Sequence, residues 1–239
     1  MKTSDKIPHI IHYCWMSDDP WDIKTLKCFA SWEKHIPEYE YKLWNSKTLP
    51  ENVLKCPTVV NALKVKKWAF VADYVRIWAL YNYGGLYMDL DVELLKSPND
   101  ILCNKIIFGL EKENIGGHFI ATIPKHPFFL YVLEKLALKT TFMPLPNFLS
   151  NCYKEYYNDN IELGKKGDIT IYSNDYFNPF FWDGKKAKGE LNITENTYCV
   201  HWYAGSWIPI YKKKKIYKVI IKILRFIGII AIIKKIRGY

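Results

Sequence analysis

Two aspartates at alternate positions, Asp89 and Asp91, interrupt an otherwise apolar run over residues 86–92. In a strand, side chains alternate between faces, so both carboxylates would point the same way and Leu90 the opposite way. Neighbouring carboxylates repel each other unless a cation lies between them, and Mg²⁺ or Mn²⁺ accepts such oxygen ligands together with substrate phosphates. The spacing therefore predicts a metal-bridged diphosphate site, with solvated aspartates at a strand edge as the alternative.

A second pair of charged residues, Asp73 and Arg76, precedes this run at helical spacing. Residues three apart share a face of a helix. A carboxylate can accept hydrogen bonds from sugar hydroxyls, and a guanidinium can reach a hydroxyl or a phosphate with its forked donors. The pair therefore indicates a contact with a sugar phosphate; the alternative is an ion pair on the helix surface, which contributes little to stability.

Trp15 and His201 are candidates nearer the two ends of the chain. Trp15 lies at the end of the first expected strand, where its indole face could stack on a base, or could simply pack in the core. His201 begins a short aromatic run at residues 201–207. It could supply a third metal ligand or a phosphate contact, or it could be a core histidine with satisfied hydrogen bonds.

The order of strand-like and helical patterns predicts one α/β domain. The chain has 239 residues, a length that suits one large domain. Strands alternate with helices, which is typical of a mainly parallel sheet that places active residues at strand ends. The expected strands cover residues 7–15, 39–44, 86–92, 105–110, 119–122, 169–172 and 198–201, and the expected helices cover residues 21–34, 59–83 and 127–139.

Four segments carry a set of motifs in a fixed order. One is the run Trp-Ala-Phe-Val-Ala-Asp-Tyr-Val-Arg within residues 67–76, and another is Tyr-Gly-Gly-Leu-Tyr-Met-Asp-Leu-Asp within residues 83–92. The others are residues 7–15 and 201–207. Together they resemble glycosyltransferase family 32, the DXD-motif sugar transferases of surface-polysaccharide and yeast mannan synthesis. They are also similar to the catalytic domain of the large glucosylating bacterial toxins, which implies a Rossmann-like nucleotide-sugar transferase type A fold.

The resemblance implies which residues contact the base and the sugar of the donor. Trp15 would stack on the uracil of a UDP-sugar. Asp73 and Arg76 would hold the sugar, and Tyr87 would line the donor pocket.

The resemblance also implies a Mn²⁺ or Mg²⁺ site and a closing segment. Asp91 would bind the metal directly, Asp89 would bridge the metal and the ribose, and His201 would be a further ligand. Ser206 and Trp207 would close over the diphosphate. These two residues are adjacent here, as in family 32, whereas the toxins place one residue between them.

The implied activity is metal-dependent, retaining transfer of a hexose or N-acetylhexosamine from a nucleotide sugar, with a UDP-sugar as the expected donor. The expected acceptor is a lipid-linked glycan of surface (capsular) polysaccharide synthesis. The alternative is a non-catalytic module that binds nucleotide sugars or glycans. No second carboxylate is evidently placed as a nucleophile, so front-side attack by the acceptor hydroxyl is the favoured route.

The net charge of +10 is confined to the end of the chain. Residues 212–239 contain ten of the 34 Lys and Arg residues and no acidic residue, so the other 24 basic residues balance all 24 acidic ones. A neutral body argues against a nucleic-acid-binding protein. We therefore expect a catalytic domain over residues 1–211 and, over residues 212–239, a basic amphipathic helix that binds anionic lipid; the alternative is a packed terminal helix.

The expected location is the cytoplasmic side of the cell membrane, as a peripheral protein. The N-terminal residues 1–8 lack the apolar core of a secretion signal. Six cysteines without a Cys-x-x-Cys pair fit reduced thiols better than a zinc site or a disulfide framework.

Overall fold

The computed structural model describes residues 6–17, 19–139, 143–180 and 191–204. Within these residues a seven-stranded sheet, in the order β2-β1-β3-β6-β5-β8-β7, lies beside a two-stranded sheet of β4 and β9. The strands are β1 (Ile10–Cys14), β2 (Glu40–Trp44), β3 (Gly85–Met88), β4 (Val92–Leu94), β5 (Ile106–Glu111), β6 (Asn114–Thr122), β7 (Gly164–Lys166), β8 (Ile169–Tyr172) and β9 (Cys199–His201). The helices are α1 (Ile23–His35), α2 (Glu51–Leu54), α3 (Pro57–Lys64), α4 (Trp68–Tyr83), α5 (Pro127–Ala137), α6 (Leu145–Tyr157) and α7 (Asn174–Phe177).

The large sheet is mixed, so the expectation of a mainly parallel sheet is wrong. Strand β1 pairs in parallel with β2 and β3, and β5 pairs in parallel with β8. Strand β6 runs antiparallel to both β3 and β5. The reason is local: β5 and β6 are joined by the two-residue turn at Lys112 and Glu113, and so short a connection can only join antiparallel strands.

The large sheet separates two apolar clusters. Tyr87 and Ile120 point into the cluster that also holds the buried faces of α4, α5 and α6. Their strand neighbours Leu86 and Phe119 point into the cluster on the other side, where Trp32 of α1 packs. This alternation is the period of two expected for strands buried on both faces. Among the described residues, no helix is long and apolar enough to span a bilayer.

Two expected elements are divided in the structure. The helix expected over residues 59–83 is interrupted at residues 65–67, where Lys66 has φ 54°. The strand expected over residues 86–92 ends at Met88, and Asp89 to Asp91 form a turn closed by the Val92 N–H, which donates to the Asp89 carbonyl at 2.9 Å. The aspartates therefore do not lie in a strand, and the expectation that they alternate in one is wrong.

The glycine pair at the start of β3, Gly84 and Gly85, lets the end of α4 turn directly into the sheet. Gly84 has φ 65° and Gly85 φ 94°, and a Cβ on Gly85 would lie 2.5 Å from the Ile10 carbonyl oxygen of β1. The buried His12 ring lies against the same turn, with Nε2 2.8 Å from the Gly84 carbonyl. Burial lowers the pKa of His12 to about 4, so the ring is neutral and its Nε2–H donates to Gly84. The turn thus fixes where β3, and the aspartates after it, begin.

We expect Gly85→Ala to destabilise the protein by at least about 2 kcal/mol, because a strained backbone and a steric clash with β1 combine. Gly164→Ala is the matched control: φ is 97° there, but nothing lies within 4 Å of the added Cβ, so only strain of about 1 kcal/mol remains. Urea unfolding of both variants measures the difference. Equal losses would contradict the close approach of β1 and β3.

Candidate active site

The charged residues singled out in the sequence lie where α4, the end of β3 and the two-stranded sheet meet. Asp73 and Arg76 lie on α4, and Asp89 and Asp91 lie in the turn between β3 and β4. His201 ends β9, which pairs antiparallel with β4 so that His201 lies opposite Val92. The site is therefore assembled from two segments that are close in the chain, α4 and the aspartate turn, and from β9, which is far from both in the chain.

Arg76 is a buried cation at the centre of the site, not part of an ion pair on the helix surface. It is 5% exposed, and its Nη2 lies 3.0 Å from Asp89 Oδ1 and 3.5 Å from Asp73 Oδ1. Its Nη1 donates to the Gly117 carbonyl of β6, and its guanidinium carbon lies 4.2 Å from the centre of the Tyr87 ring. Arg76 therefore links α4, β6 and the turn that carries the aspartates.

The carboxyl group of Asp73 has an unusually high pKa because it is shielded from water. Burial raises its pKa to about 6, although Arg76 opposes the shift, and the nearby Asp89 carboxylate raises the pKa further. A hydroxyl donor or an additional cation beside Asp73 would therefore stabilise the ionised form of this carboxylate. The Asp89 carboxylate accepts hydrogen bonds from Arg76 and, at 3.3 Å, from the Tyr87 hydroxyl. Tyr87 therefore lies beside Arg76 and Asp89 in the site.

Asp91 and His201 form the second half of the site. Asp91 Oδ1 lies 3.3 Å from His201 Nε2, and Asp91 Oδ2 accepts from the Ala204 N–H at 2.8 Å. Burial alone would raise the pKa of Asp91, but the hydrogen bonds from His201 and Ala204 bring it below its usual value. Burial alone would lower the pKa of His201, but Asp91 raises it. The backbone N–H of Trp202 also donates to the Asp91 carbonyl at 2.9 Å. This hydrogen bond holds the segment after β9 against the aspartate turn.

Both edges of the short strand β4 are hydrogen-bonded, and these bonds fix the position of the aspartate turn before it. On one edge lies β9. On the other, the Trp32 indole N–H of α1 donates to the Val92 carbonyl at 2.7 Å, and the Leu94 N–H donates to Ser31 Oγ at 2.9 Å. Leu90, between the two aspartates, is buried in the core. The turn is therefore anchored from three sides while both carboxylates remain at the site.

Asp89, Asp91 and His201 fit a divalent cation. One ligand atom from each lies within 4.8 Å of the others. The set offers two carboxylates and one imidazole, which suits Mn²⁺ or Mg²⁺ with additional substrate oxygens. Among the described residues His201 Nδ1 has no hydrogen-bond partner although it is buried, which leaves this ring with capacity for a ligand.

Cys14 ends β1 and lies beside Tyr87, and Trp15 follows it in the chain, packed against the apolar cluster on the other face of the sheet. Trp15 is partly buried, and its indole N–H donates to the Asp19 carbonyl at 2.8 Å; its role in base stacking stays a prediction. Burial raises the pKa of the Cys14 thiol to about 12, so this residue stays protonated and is no nucleophile. The expected contacts of Ser206 and Trp207 lie outside the described residues.

Two functional candidates, Glu111 and His118, were not singled out in the sequence. His118 stacks on His201 with ring centres 4.5 Å apart, and Glu111 Oε2 lies 3.6 Å from His118 Nδ1. Burial alone would raise the pKa of Glu111, but the two histidines lower it; burial and His201 lower the pKa of His118. No motif marks them, because only the antiparallel register of β6 against β3 brings His118 beside the aspartate turn, where its carbonyl accepts from the Asp89 N–H at 3.1 Å.

Comparison with known proteins supports a sugar transferase. Residues 23–107 match the family described as "Glycosyltransferase sugar-binding region containing DXD motif". The match covers Asp73, Arg76, Asp89 and Asp91 and excludes His201.

Two yeast enzymes are among the similar relatives. The chain is 29% identical over 229 residues to inositol phosphoceramide mannosyltransferase 1 of Schizosaccharomyces pombe, covering 84% of this chain and 70% of that protein. It is 29% identical over 189 residues to mannosyl phosphorylinositol ceramide synthase SUR1 of Saccharomyces cerevisiae, covering 72% of this chain and 47% of that protein. The chain thus spans about half the length of this second relative.

A solved structure, the PaToxG glycosyltransferase, shares the fold with a TM-score of 0.53 at 14% identity, over 64% of this chain and 70% of that one. The α/β nucleotide-sugar transferase type A fold expected from the sequence is confirmed. Together the family match and the yeast relatives support glycosyltransferase activity.

We expect Arg76→Met to destabilise the folded protein by about 3–5 kcal/mol at pH 8, because it leaves Asp73 and Asp89 facing each other without their buried cation. The pKa of Asp73 is raised in the fold, so its protonation favours folding at acid pH, and this contribution is lost as the pH rises through about 6. The loss should therefore be smaller at pH 5.

Chemical unfolding at both pH values checks this, with Lys55→Met as the control. Lys55 forms an exposed ion pair with Glu51, so its removal should change stability little at either pH. A pH-independent loss in Arg76→Met would contradict the account of the buried pair.

Proposed function

We propose that the chain is a metal-dependent glycosyltransferase that moves a hexose from a nucleotide sugar to a hydroxyl of a lipid-linked acceptor. The observation that carries this proposal is the convergence of two groups around Asp89. On one side Asp73 and Arg76 form a wall suited to sugar hydroxyls, and on the other Asp91 and His201 form a ligand set suited to a cation and a diphosphate. A binding module that only recognises glycans has no need for the second group.

The chemistry of transfer requires that negative charge on the leaving diphosphate be stabilised. Asp89, Asp91 and His201 would hold a Mn²⁺ or Mg²⁺ ion, which acts as a Lewis acid on the diphosphate oxygens when bound. Arg76 adds a preorganised positive charge at the wall of the same site, and burial away from water strengthens its interactions. Asp73 would accept a hydroxyl of the donor sugar and so orient the anomeric carbon toward the acceptor.

Retention of anomeric configuration remains part of the proposal. Asp73 is engaged by Arg76 at 3.5 Å, which suits a hydroxyl acceptor better than a nucleophile that must form a covalent bond. Front-side attack by the acceptor hydroxyl, on the face from which the diphosphate leaves, therefore remains the favoured route.

The donor and acceptor are proposed from the relatives together with the family resemblance. The two yeast relatives are named for transfer of mannose to inositol phosphoceramide, which favours a mannosyl donor and an acceptor with a phosphorylated polyol head group on a lipid. The resemblance to family 32 instead favours a UDP-sugar and a lipid-linked glycan of surface polysaccharide. Both donor–acceptor combinations consist of a hexose donor and a hydroxyl on a lipid-anchored acceptor. The panel of donor sugars described below distinguishes between them.

We expect the protein with Mn²⁺ to hydrolyse or transfer one member of a panel of UDP- and GDP-sugars, and Asp91→Asn to lower that turnover at least about 100-fold, because a charged group at the diphosphate site is lost. Asp159→Asn is the control, since Asp159 pairs with Lys166 on a distant hairpin. Product formation is followed by chromatography of the released nucleotide. Nucleotide-sugar binding without turnover would favour the non-catalytic alternative, and normal turnover by Asp91→Asn would refute the metal site.

We expect the use of the donor sugar to weaken as the pH falls through about 6, because protonation of Asp73 removes the charge that accepts the hydroxyl. Asp73→Asn should lower kcat/KM for the nucleotide sugar at least about 10-fold, the loss of one charge-assisted hydrogen bond, while free nucleotide binds as before. The variant should also lose the pH dependence near 6. Equal weakening of nucleotide and nucleotide-sugar binding would place Asp73 outside the sugar pocket.

We also propose that residues 212–239 hold the enzyme on the cytoplasmic face of the membrane; they lie outside the described residues. Each basic residue near an anionic surface contributes about 1 kcal/mol, so truncation after Tyr211 should abolish co-sedimentation with anionic vesicles and preserve donor hydrolysis. High salt should weaken attachment of the full chain. Equal vesicle binding by the full and truncated chains would contradict this role.

A further inference from the structure

A second group of possible ligands lies beside the aspartate turn. One ligand atom each from Glu111, His118 and His201 lies within 4.8 Å of the others. Glu111 and His118 belong to the β5–β6 hairpin, whereas Asp89 and Asp91 belong to the turn before β4. The two groups share only His201, whose one unpartnered nitrogen, Nδ1, can bind one ion at a time. They offer different chemistry: the aspartate group is rich in oxygen, and this one is rich in nitrogen.

The hydrogen bonds of His118 prepare one of its nitrogens for a ligand. Its Nε2 lies 3.2 Å from the Phe177 carbonyl; because a carbonyl can only accept, the ring proton belongs on Nε2. The Nδ1 atom then carries the lone pair. The ring is 2% exposed, and Nδ1 has no hydrogen-bond partner among the described residues.

His201 has the same arrangement. Its Nε2 lies 3.3 Å from the Asp91 carboxylate, which can only accept when ionised, and its buried Nδ1 lacks a hydrogen-bond partner among the described residues. A histidine that binds a metal through one nitrogen commonly donates its other N–H to a carboxylate or a backbone carbonyl. Both histidines therefore have the acceptor that such ligands use, and both leave Nδ1 without a partner.

We propose that Glu111, His118 and His201 form a second cation site, which takes a transition metal such as Zn²⁺ rather than Mg²⁺. Two imidazoles and one carboxylate are a recurrent three-residue zinc set that leaves a fourth position open. The site does not depend on sugar transfer, because its ligands can bind the metal in the absence of any donor.

Binding must move the histidine rings apart. They stack with 16° between their planes, and the lone pair of an imidazole nitrogen lies in the ring plane, so one ion cannot meet both lone pairs in this stack. Rotation of one ring and a small movement of the side chains toward one another would bring the three ligand atoms to the spacing that bonds of about 2.0–2.2 Å require. Glu111, which is only partly buried, can follow this movement most easily.

The test is titration of the metal-free full-length protein with Zn²⁺ by calorimetry, and with Co²⁺ by visible absorption. We expect His118→Phe, which keeps an aromatic ring in the stack, to weaken Zn²⁺ binding at least about 100-fold, more than the loss of an outer-shell partner costs. Glu111→Gln should weaken it in the same direction. Mn²⁺ binding, followed by electron paramagnetic resonance, should persist in both variants and be lost in Asp89→Asn.

The matched control is His9→Phe, because His9 stacks on Tyr39 with ring centres 4.5 Å apart and lies outside the group. It should bind Zn²⁺ like the unaltered protein. Circular dichroism shows whether each variant folds, and Glu111→Gln carries the test if His118→Phe does not. Unchanged Zn²⁺ affinity and unchanged Co²⁺ spectra in the folded His118→Phe or Glu111→Gln variants would overturn the proposal.

Discussion

The buried guanidinium of Arg76 is the interaction on which the candidate site depends. It lies between Asp73 and Asp89 and bonds to the backbone of β6, so it fixes a helix, a turn and a strand relative to one another. A buried cation of this kind contributes little stability by itself, but its removal leaves two partly buried carboxylates without compensation. The same charge that holds the fold together at this point is also available to a negatively charged donor.

A second constraint is the closure of β9 onto β4. Val92 lies opposite His201, and the backbone after β9 donates to both the carbonyl and the carboxylate of Asp91. The proposed metal-ligand set is therefore complete only when the chain near residue 200 returns to the aspartate turn. Ligands drawn from separate parts of the chain allow binding of a cation to stabilise the folded site.

The sequence predicted the α/β class, the first strand, α1, α5 and, as one continuous helix, α3 and α4, because each has a clear apolar period. It did not predict α2, α6 or α7. It predicted which charged residues converge, through the glycine turn and the aspartates that follow it. It could not predict the antiparallel position of β6 between β3 and β5, since strand order depends on long-range pairing. Glu111 and His118 were missed for that reason: neither stands in a motif, and only the register of β6 brings His118 to the aspartate turn.

The central claim is that Asp89, Asp91 and His201 make nucleotide binding depend on a divalent cation. Isothermal titration of UDP and of GDP into the protein, once with Mn²⁺ and once with EDTA, measures this directly. We expect one nucleotide to bind at least about 10-fold more tightly with Mn²⁺, because a cation held by these residues would offset the negative charge of the diphosphate, and Asp91→Asn to remove the difference. Equal affinities with Mn²⁺ and with EDTA in the unaltered protein would contradict it.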